Sequence, residues 1–164
     1  MIWSRLLLLN HTLLLLCASM YLGTGGSLVL FSFPIAPQLT VDTYYLQFVP
    51  QVEAATRFLT PMTIAMIAFA IVMICSEWRQ PTRWVPIVVL AAVITATVLT
   101  EKGIFPLNTE MAAHITDPAR LKVVLGDWMQ FNRIRFALWC VQWAAMAWWF
   151  ARWALRARYA AWLQ

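Results

Sequence analysis

Residues 59–99 read LTPMTIAMIAFAIVMIC, SEWRQPTR, WVPIVVLAAVITATVL: two apolar runs, 59–75 and 84–99, joined by eight polar-rich residues. Each run approaches the ~20 residues that cross a hydrocarbon core. Lipid offers no partner to an open backbone N–H or C=O, so each run must be a helix. The connecting turn holds Arg79 and Arg83, with Trp78 and Trp84 on its flanks. Basic residues at span ends mark the cytoplasmic side, and tryptophan rings favour the interface. Pro81 sets the turn, and Pro86 sits where a proline starts a helix. The stretch is expected to be a membrane hairpin whose tip faces the cytoplasm.

The composition extends that reading to the whole chain. Of 164 residues, 62% are apolar and 12% charged, against about 45–50% and 25% in soluble domains. A soluble domain of this size leaves about a third of its unfolded surface in water, which this composition could not tolerate. Most soluble enzymes and disordered tails are thereby excluded. Two further runs, 6–33 and 134–155, are long enough to span, and the first stops at Pro34 and Pro37. The expected fold is all-α: an integral membrane four-helix bundle, one membrane domain over 1–164, with spans at about 6–33, 59–75, 84–99 and 134–155. The second span can extend back through 52–58 as an exposed helix. Arg5 before an apolar run imitates a signal peptide, but the run continues to Phe33, past a signal core of ~7–15 residues. A retained helix is expected.

The chain has 12 Lys+Arg against 7 Asp+Glu, a net charge of +5. Most basic residues sit at span ends, so they point to topology and not to nucleic acid. Arg5, the Arg79/Arg83 turn and Arg152, Arg156 and Arg158 fall on one side of a four-span chain. That places both termini in the cytoplasm, and the absence of a eukaryotic targeting signal leans to a bacterial inner membrane. Trp3, Trp78, Trp84, Trp153 and Trp162 would form the interfacial belt of that side. Cys17, Cys75 and Cys140 all lie in apolar runs. They read as packing residues, since three buried thiols make no disulfide framework.

Two long segments remain on the outer side, about 34–57 and 100–132, and long connections usually carry function or their own structure. In the second, Pro106-Leu107-Asn108-Thr109 suggests a turn into a short helix with Asn108 or Thr109 as N-cap. Asp117-Pro118 suggests a second start, Gly126 a break, and Asp127 with Gln130 a capping box for the last helix. Glu53 and Arg57 are four apart, an ion-pair spacing, and Tyr44, Tyr45 and Phe48 suggest an aromatic lid.

The last helix carries a polar stripe. At ~100° per residue, Trp128, Asn132, Arg135, Trp139 and Gln142 fall within about 40° of one direction. A charge in the span is costly, so Arg135 should face the bundle interior or a wet cavity, or else snorkel to the outer headgroups or pair with Asp127. Arg133 points elsewhere, as a headgroup or loop anchor. Glu110 and His114, four apart, would share a helix face, where the imidazole can act as a tuned proton acceptor. Two such groups make no metal site, and no metal or other cofactor is expected. Asn10 and His11 suit interhelical hydrogen bonds, and the Ser19, Gly23, Ser27 stripe suits close helix packing. Phosphate loops, dinucleotide fingerprints, nucleophile elbows and haem motifs are all missing from the sequence.

The glycine-containing first span running into an aromatic-proline end (Gly23 to Pro37), the Pro106-Leu107-Asn108 motif after the third span, and Trp128-x3-Asn132-Arg133-x-Arg135 at the head of the fourth together resemble a large family of small four-span membrane proteins, mostly of unassigned function and often labelled anthrone-oxygenase-like. The resemblance covers nearly the whole chain. It implies a site at Asn108, Trp128, Asn132 and Arg135, and oxidation of an aromatic substrate by dioxygen without a cofactor. Under that reading Trp128 and Trp139 would stack on a flat ring. His114, Glu110 or Asp127 would take its acidic proton, and Arg135 and Asn132 would stabilise the anion, with Gln142 further along the same stripe.

Three function classes follow. The first is a membrane oxidoreductase with an outer-face pocket for an aromatic or quinol-like molecule. The second is a non-catalytic binding or assembly subunit, holding a lipid, a quinone, a second copy or a partner helix and exposing Trp143, Trp148 and Trp149 of the last helix. The third, a transporter, is disfavoured because the sequence has neither an inverted repeat nor a run of intramembrane charges.

Overall fold

The computed structural model describes residues 2–162, with side chains over 3–158. Helix α1 runs Ile2–Ser27 and ends in a wide π turn, Leu28–Ser32. A short 3-10 turn, Ala36–Gln38, leads to α2, Tyr44–Glu77. Helix α3, Trp84–Leu99, passes through a second wide turn, Thr100–Ile104, into α4, Phe105–Ala112. Helix α5 runs Pro118–Trp162. The described residues are helical throughout apart from turns, and contain no strand. Among the described residues, three stretches are long and apolar enough to cross a membrane: Trp3–Ser32, Tyr44–Glu77 and Trp84–Ala112. Helix α5 is not among them. Its apolar part is diluted by Arg135, Gln142 and five tryptophans between 134 and 155.

Helix α5 packs along α1 and α3, and α2 packs on the other side of the same two helices. Helices α2 and α5 thus stand diagonally opposed. One core fills the half nearer the α2–α3 turn, called the inner half, around Leu14, Met66, Met73, Val89 and Met146, and the opposite half is called the outer half. A second lies under the outer connections, around Phe33, Tyr44, Phe48, Met111 and Trp128.

Polar groups tie off both ends. At the inner end Asn10 donates to the Phe69 carbonyl across α1 and α2 at 3.0 Å, the interhelical bond its position suggests. Glu77 accepts from the Thr82 hydroxyl and from Trp149 Nε1 at 3.2 Å. His11 bonds the Leu7 carbonyl through Nδ1, lies 4.7 Å from the Trp149 ring and brings Nε2 to 3.9 Å from Glu77. The α2–α3 turn is therefore held to α1 and α5. At the outer end the Tyr44 hydroxyl donates to the Met111 carbonyl at 3.1 Å and accepts from Ile115 N at 2.5 Å. That closes the α4–α5 connection, where His114 adopts a left-handed φ of 60° and stacks on Tyr45 at 3.7 Å. Asp117 caps α5 as expected, accepting from Ala119 N at 3.0 Å, with Pro118 in the first turn.

Several expectations are corrected. Asn108 and Thr109 do not cap a helix: α4 already begins at Phe105, with Pro106 in its first turn, because the chain stays helical through the wide turn after α3. Gly126 does not break the last helix and Asp127 does not cap it; both lie within α5. Val124, Leu125 and Trp128 are buried on either side, and that packing outweighs the ~1 kcal/mol propensity cost of a helical glycine. The segment 34–57 has its own structure, since α2 starts at Tyr44, further back than the expected extension through 52–58, and runs through Pro50 and Pro61. Tyr44 and Phe48 are core residues and not a lid. The Glu53–Arg57 pair forms at 3.9 Å on the surface. The thiols of Cys17, Cys75 and Cys140 are free. Trp3, Trp78, Trp84 and Trp153 are exposed, and the side chain of Trp162 lies outside the described residues.

The small stripe of α1 is reassigned as well. A Cβ at Gly23 would meet nothing within 4 Å, whereas one at Gly25 would lie 2.4 Å from Phe136 and 2.7 Å from Trp139. Gly25, not Gly23, permits the close α1–α5 approach. Gly25→Ala should destabilise the protein by about 1–3 kcal/mol through overpacking, and Gly23→Ala should stay within about 0.5 kcal/mol. Thermal unfolding of the detergent-solubilised variants checks this; equal stability of the two would contradict the packing described.

Candidate functional site

A cavity of about 780 Å³ fills the space that diagonal packing leaves between α2 and α5 in the outer half. Ligand cavities run to ~300–1,000 Å³. Its walls come from the end of α1, the first two-thirds of α2, the α3–α4 junction and the middle of α5. Most of the lining is apolar: Leu28, Val52, Leu59, Met66 and Ile104 are representative.

Five of the stripe and motif residues reach this cavity: Asn108, Trp128, Arg135, Trp139 and Gln142. Asn132 is buried beside them on α5 but is not on the wall; its amide donates to the Trp128 carbonyl at 2.8 Å. Trp128 Nε1 donates to Asn108 Oδ1 at 3.0 Å, which fixes α4 to α5. The edges of Phe48 and Phe33 meet the same indole at 5.2 and 6.0 Å.

Arg135 is the electrostatic centre. Its Nη1 donates to Thr100 Oγ1 at 3.1 Å, and the guanidinium lies 4.7 Å from the Trp139 ring. Its Nε is buried with no partner. None of the three ion pairs among the described residues involves Arg135, so Asp127 does not neutralise it. The buried Oε1 of Gln142, two turns along α5, also lacks a partner. One wall of an apolar cavity thus carries a guanidinium with no ion-pair partner, while its Nε and the Gln142 Oε1 are covered by neighbouring atoms and unpaired. Arg133, by contrast, is exposed and sits over the Phe33 ring at 5.6 Å, as an anchor for the end of α1.

The three expected proton acceptors do not line the cavity. His114 lies past the end of α4, so it shares no helix face with Glu110, and it is stacked on Tyr45. Glu110 is held by Arg120 in a bidentate pair at 2.6 and 2.7 Å. Those hydrogen bonds raise the Arg120 pKa above its ordinary value, so the guanidinium stays charged. Asp127 is exposed, turned away from the buried Trp128 beside it. The carboxylate that does line the cavity is Glu101, next to the threonine that holds Arg135. In the sequence Glu101 was only one charge among several, because nothing there shows the wide turn that brings it to the wall. Thr56, Thr60 and Thr63 of α2 also reach the wall. Their spacing is a helical periodicity, but each hydroxyl donates to a carbonyl of its own helix. Among the described residues no group of three or more His, Cys, Asp or Glu side chains could hold a metal ion.

Compared with protein-family models, curated proteins and solved structures, the chain matches none of them.

The unpartnered amide of Gln142 should cost the empty protein stability. Gln142→Leu keeps the volume and removes the orphan acceptor, so it should raise the unfolding temperature, by the equivalent of about 1 kcal/mol. A lower unfolding temperature would show that the amide is satisfied within the fold.

Proposed function

We propose that this is a four-span integral membrane protein whose outer-half cavity binds a flat, apolar small molecule bearing an oxygen that carries or develops negative charge. The observation that carries the reading is Arg135, a half-buried guanidinium on an apolar wall with no carboxylate within ion-pair distance. A cation so placed is costly unless something shares its charge, and an oxyanion or polarised carbonyl does so by charge-assisted hydrogen bonds. Trp128 and Trp139 supply the aromatic surface. The fourth crossing is α5, which packs along the two apolar helices α1 and α3. Arg79, Arg83, Arg152 and Arg156 fall at one end of this bundle, which supports cytoplasmic termini and is in keeping with a bacterial inner membrane.

The resemblance to the anthrone-oxygenase-like family extends this to chemistry. An activated ring CH2 loses a proton to the wall carboxylate Glu101, and Arg135 stabilises the resulting oxyanion. The carbanion passes its electrons to dioxygen; the CH2 becomes C=O, and the other oxygen atom leaves as water. Glu101 takes the place of His114, Glu110 and Asp127 in this scheme because it alone of the four lines the cavity. Exposed Trp143 and Trp148 on α5 support a second reading, a subunit that docks on a partner helix.

Native mass spectrometry of the purified protein and of Arg135→Ala tests the binding reading. The wild type should release an aromatic or quinone-type compound that the variant retains at no more than about a tenth of the wild-type level. Bulk phospholipid alone in both, with a second polypeptide bound, would replace this reading with the docking subunit.

A further inference from the structure

We infer that the ligand of this cavity is a ring with a long hydrocarbon tail, which enters sideways from the bilayer between α1 and α2 and leaves its tail in that slot. This rests on the binding reading above and specifies its substrate class: a phenol, quinol or hydroxyquinone carrying an alkyl or isoprenoid chain.

Four residues place the slot. Gly23 and Ser27 of α1, and Thr60 and Ile64 of α2, line the cavity and are exposed. Gly23 lies about 180° round α1 from the core residue Leu14, and Ile64 about 160° round α2 from the core residue Met66, so these cavity residues face outward and mark an opening. Beside it the Tyr21 hydroxyl donates to the Leu59 carbonyl at 2.9 Å and meets the Thr63 hydroxyl. These bonds pin the two helices together at the edge of the slot. The side chains at the slot are small on three of its four corners. At Gly23 the direction of a side chain is open, with nothing within 4 Å.

Depth decides what the slot faces. At ~1.5 Å per residue, Ile64 lies about 30 Å from the outer start of α2 and about 20 Å from its inner end. That is the level of the hydrocarbon, and Ile64 is 66% exposed there. The cavity has a second, polar rim nearer the outer end, where Gln47, Gln51 and Glu101 are both lining and exposed. The two openings differ in chemistry. The outer one suits water and small solutes. The lateral one suits a molecule already dissolved in lipid, with its charged oxygen led to Arg135 and its ring to Trp139. A tail left in the slot continues into the bilayer, so its methylenes stay out of water throughout.

The test uses the full chain in detergent and two probes: a hydroxynaphthoquinone bearing a long alkyl chain, and the same ring without the chain. Affinities are measured calorimetrically and corrected for partition into detergent. The wild type should prefer the tailed ring by at least about tenfold, since each buried CH2 contributes several-fold. Gly23→Trp and Thr60→Trp fill the slot from opposite sides, and each should reduce that preference to about twofold or less. Arg135→Ala should weaken both probes in proportion and leave the preference intact. A preference retained in both tryptophan variants overturns the lateral slot. Bare and tailed rings bound equally by the wild type would overturn the tail while leaving the binding reading in place. A wild type that binds neither ring overturns both.

Discussion

A guanidinium inside an apolar bundle must place five donors, and the outer half of this protein is arranged around that requirement. Thr100 takes one donor, the face of Trp139 takes part of the charge, and Nε is left over. Supplying those partners fixes neighbouring geometry. Trp139 must lie against α1, and there a side chain at Gly25 would collide with it and with Phe136. Thr100 must face α5, and the turn that contains it is a wide one. Helix α2 does not contribute to this arrangement and stands across the bundle, so the space between it and Arg135 stays open as the cavity.

Both halves of the molecule leave buried polar atoms without a hydrogen bond, His11 Nε2 at the inner end among them, but they differ in what surrounds those atoms. At the inner end Glu77 is surrounded by Thr82, Trp149 and His11, and the helices close on one another. At the outer end Asn132 Oδ1, Arg135 Nε and Gln142 Oε1 are buried without a partner on the helix that carries the cavity wall. Unsatisfied polar atoms in an apolar wall are a cost that packing would normally remove. What sets the outer half apart is a cavity of ligand size lined by a guanidinium without an ion-pair partner, whereas the inner half is packed closed.

The sequence was informative where one periodicity governs. The apolar runs gave the hairpin of α2 and α3, and the stripe from Trp128 to Gln142 gave the buried face of α5, because helical spacing alone sets which residues share a side. It misled where propensity and packing disagree. Gly126 and Asp127 look like a break and a cap, yet buried neighbours carry α5 straight through them. It was silent where a side chain's direction depends on tertiary contacts. Glu110 and His114 have the spacing of an acid–base pair, but Arg120 captures one and Tyr45 the other. Glu101 had no distinguishing pattern, since its place on the wall depends on the geometry of the wide turn.

That turn accounts for the register of the whole site. Thr100 contacts Arg135 and Asn108 contacts Trp128, so α3–α4 runs antiparallel to α5. The two contacts are eight residues apart on the first partner and seven on α5. In a regular helix, seven residues return to within ~20° of the starting direction, whereas eight overshoot to about 80°. A π turn absorbs one extra residue without advancing the helix face, and the turn at Thr100–Ile104 lies between the two contacts. The surplus residue on one side equals the residue the wide turn absorbs, so Asn108 faces Trp128 while Thr100 faces Arg135. The same widening sets Glu101 and Ile104 on the cavity wall. Helix α1 carries a second wide turn, Leu28–Ser32, and both of its end residues line the cavity as well. Single-turn widenings are rare and occur frequently at functional sites. Here each of the two sits where its helix meets the cavity.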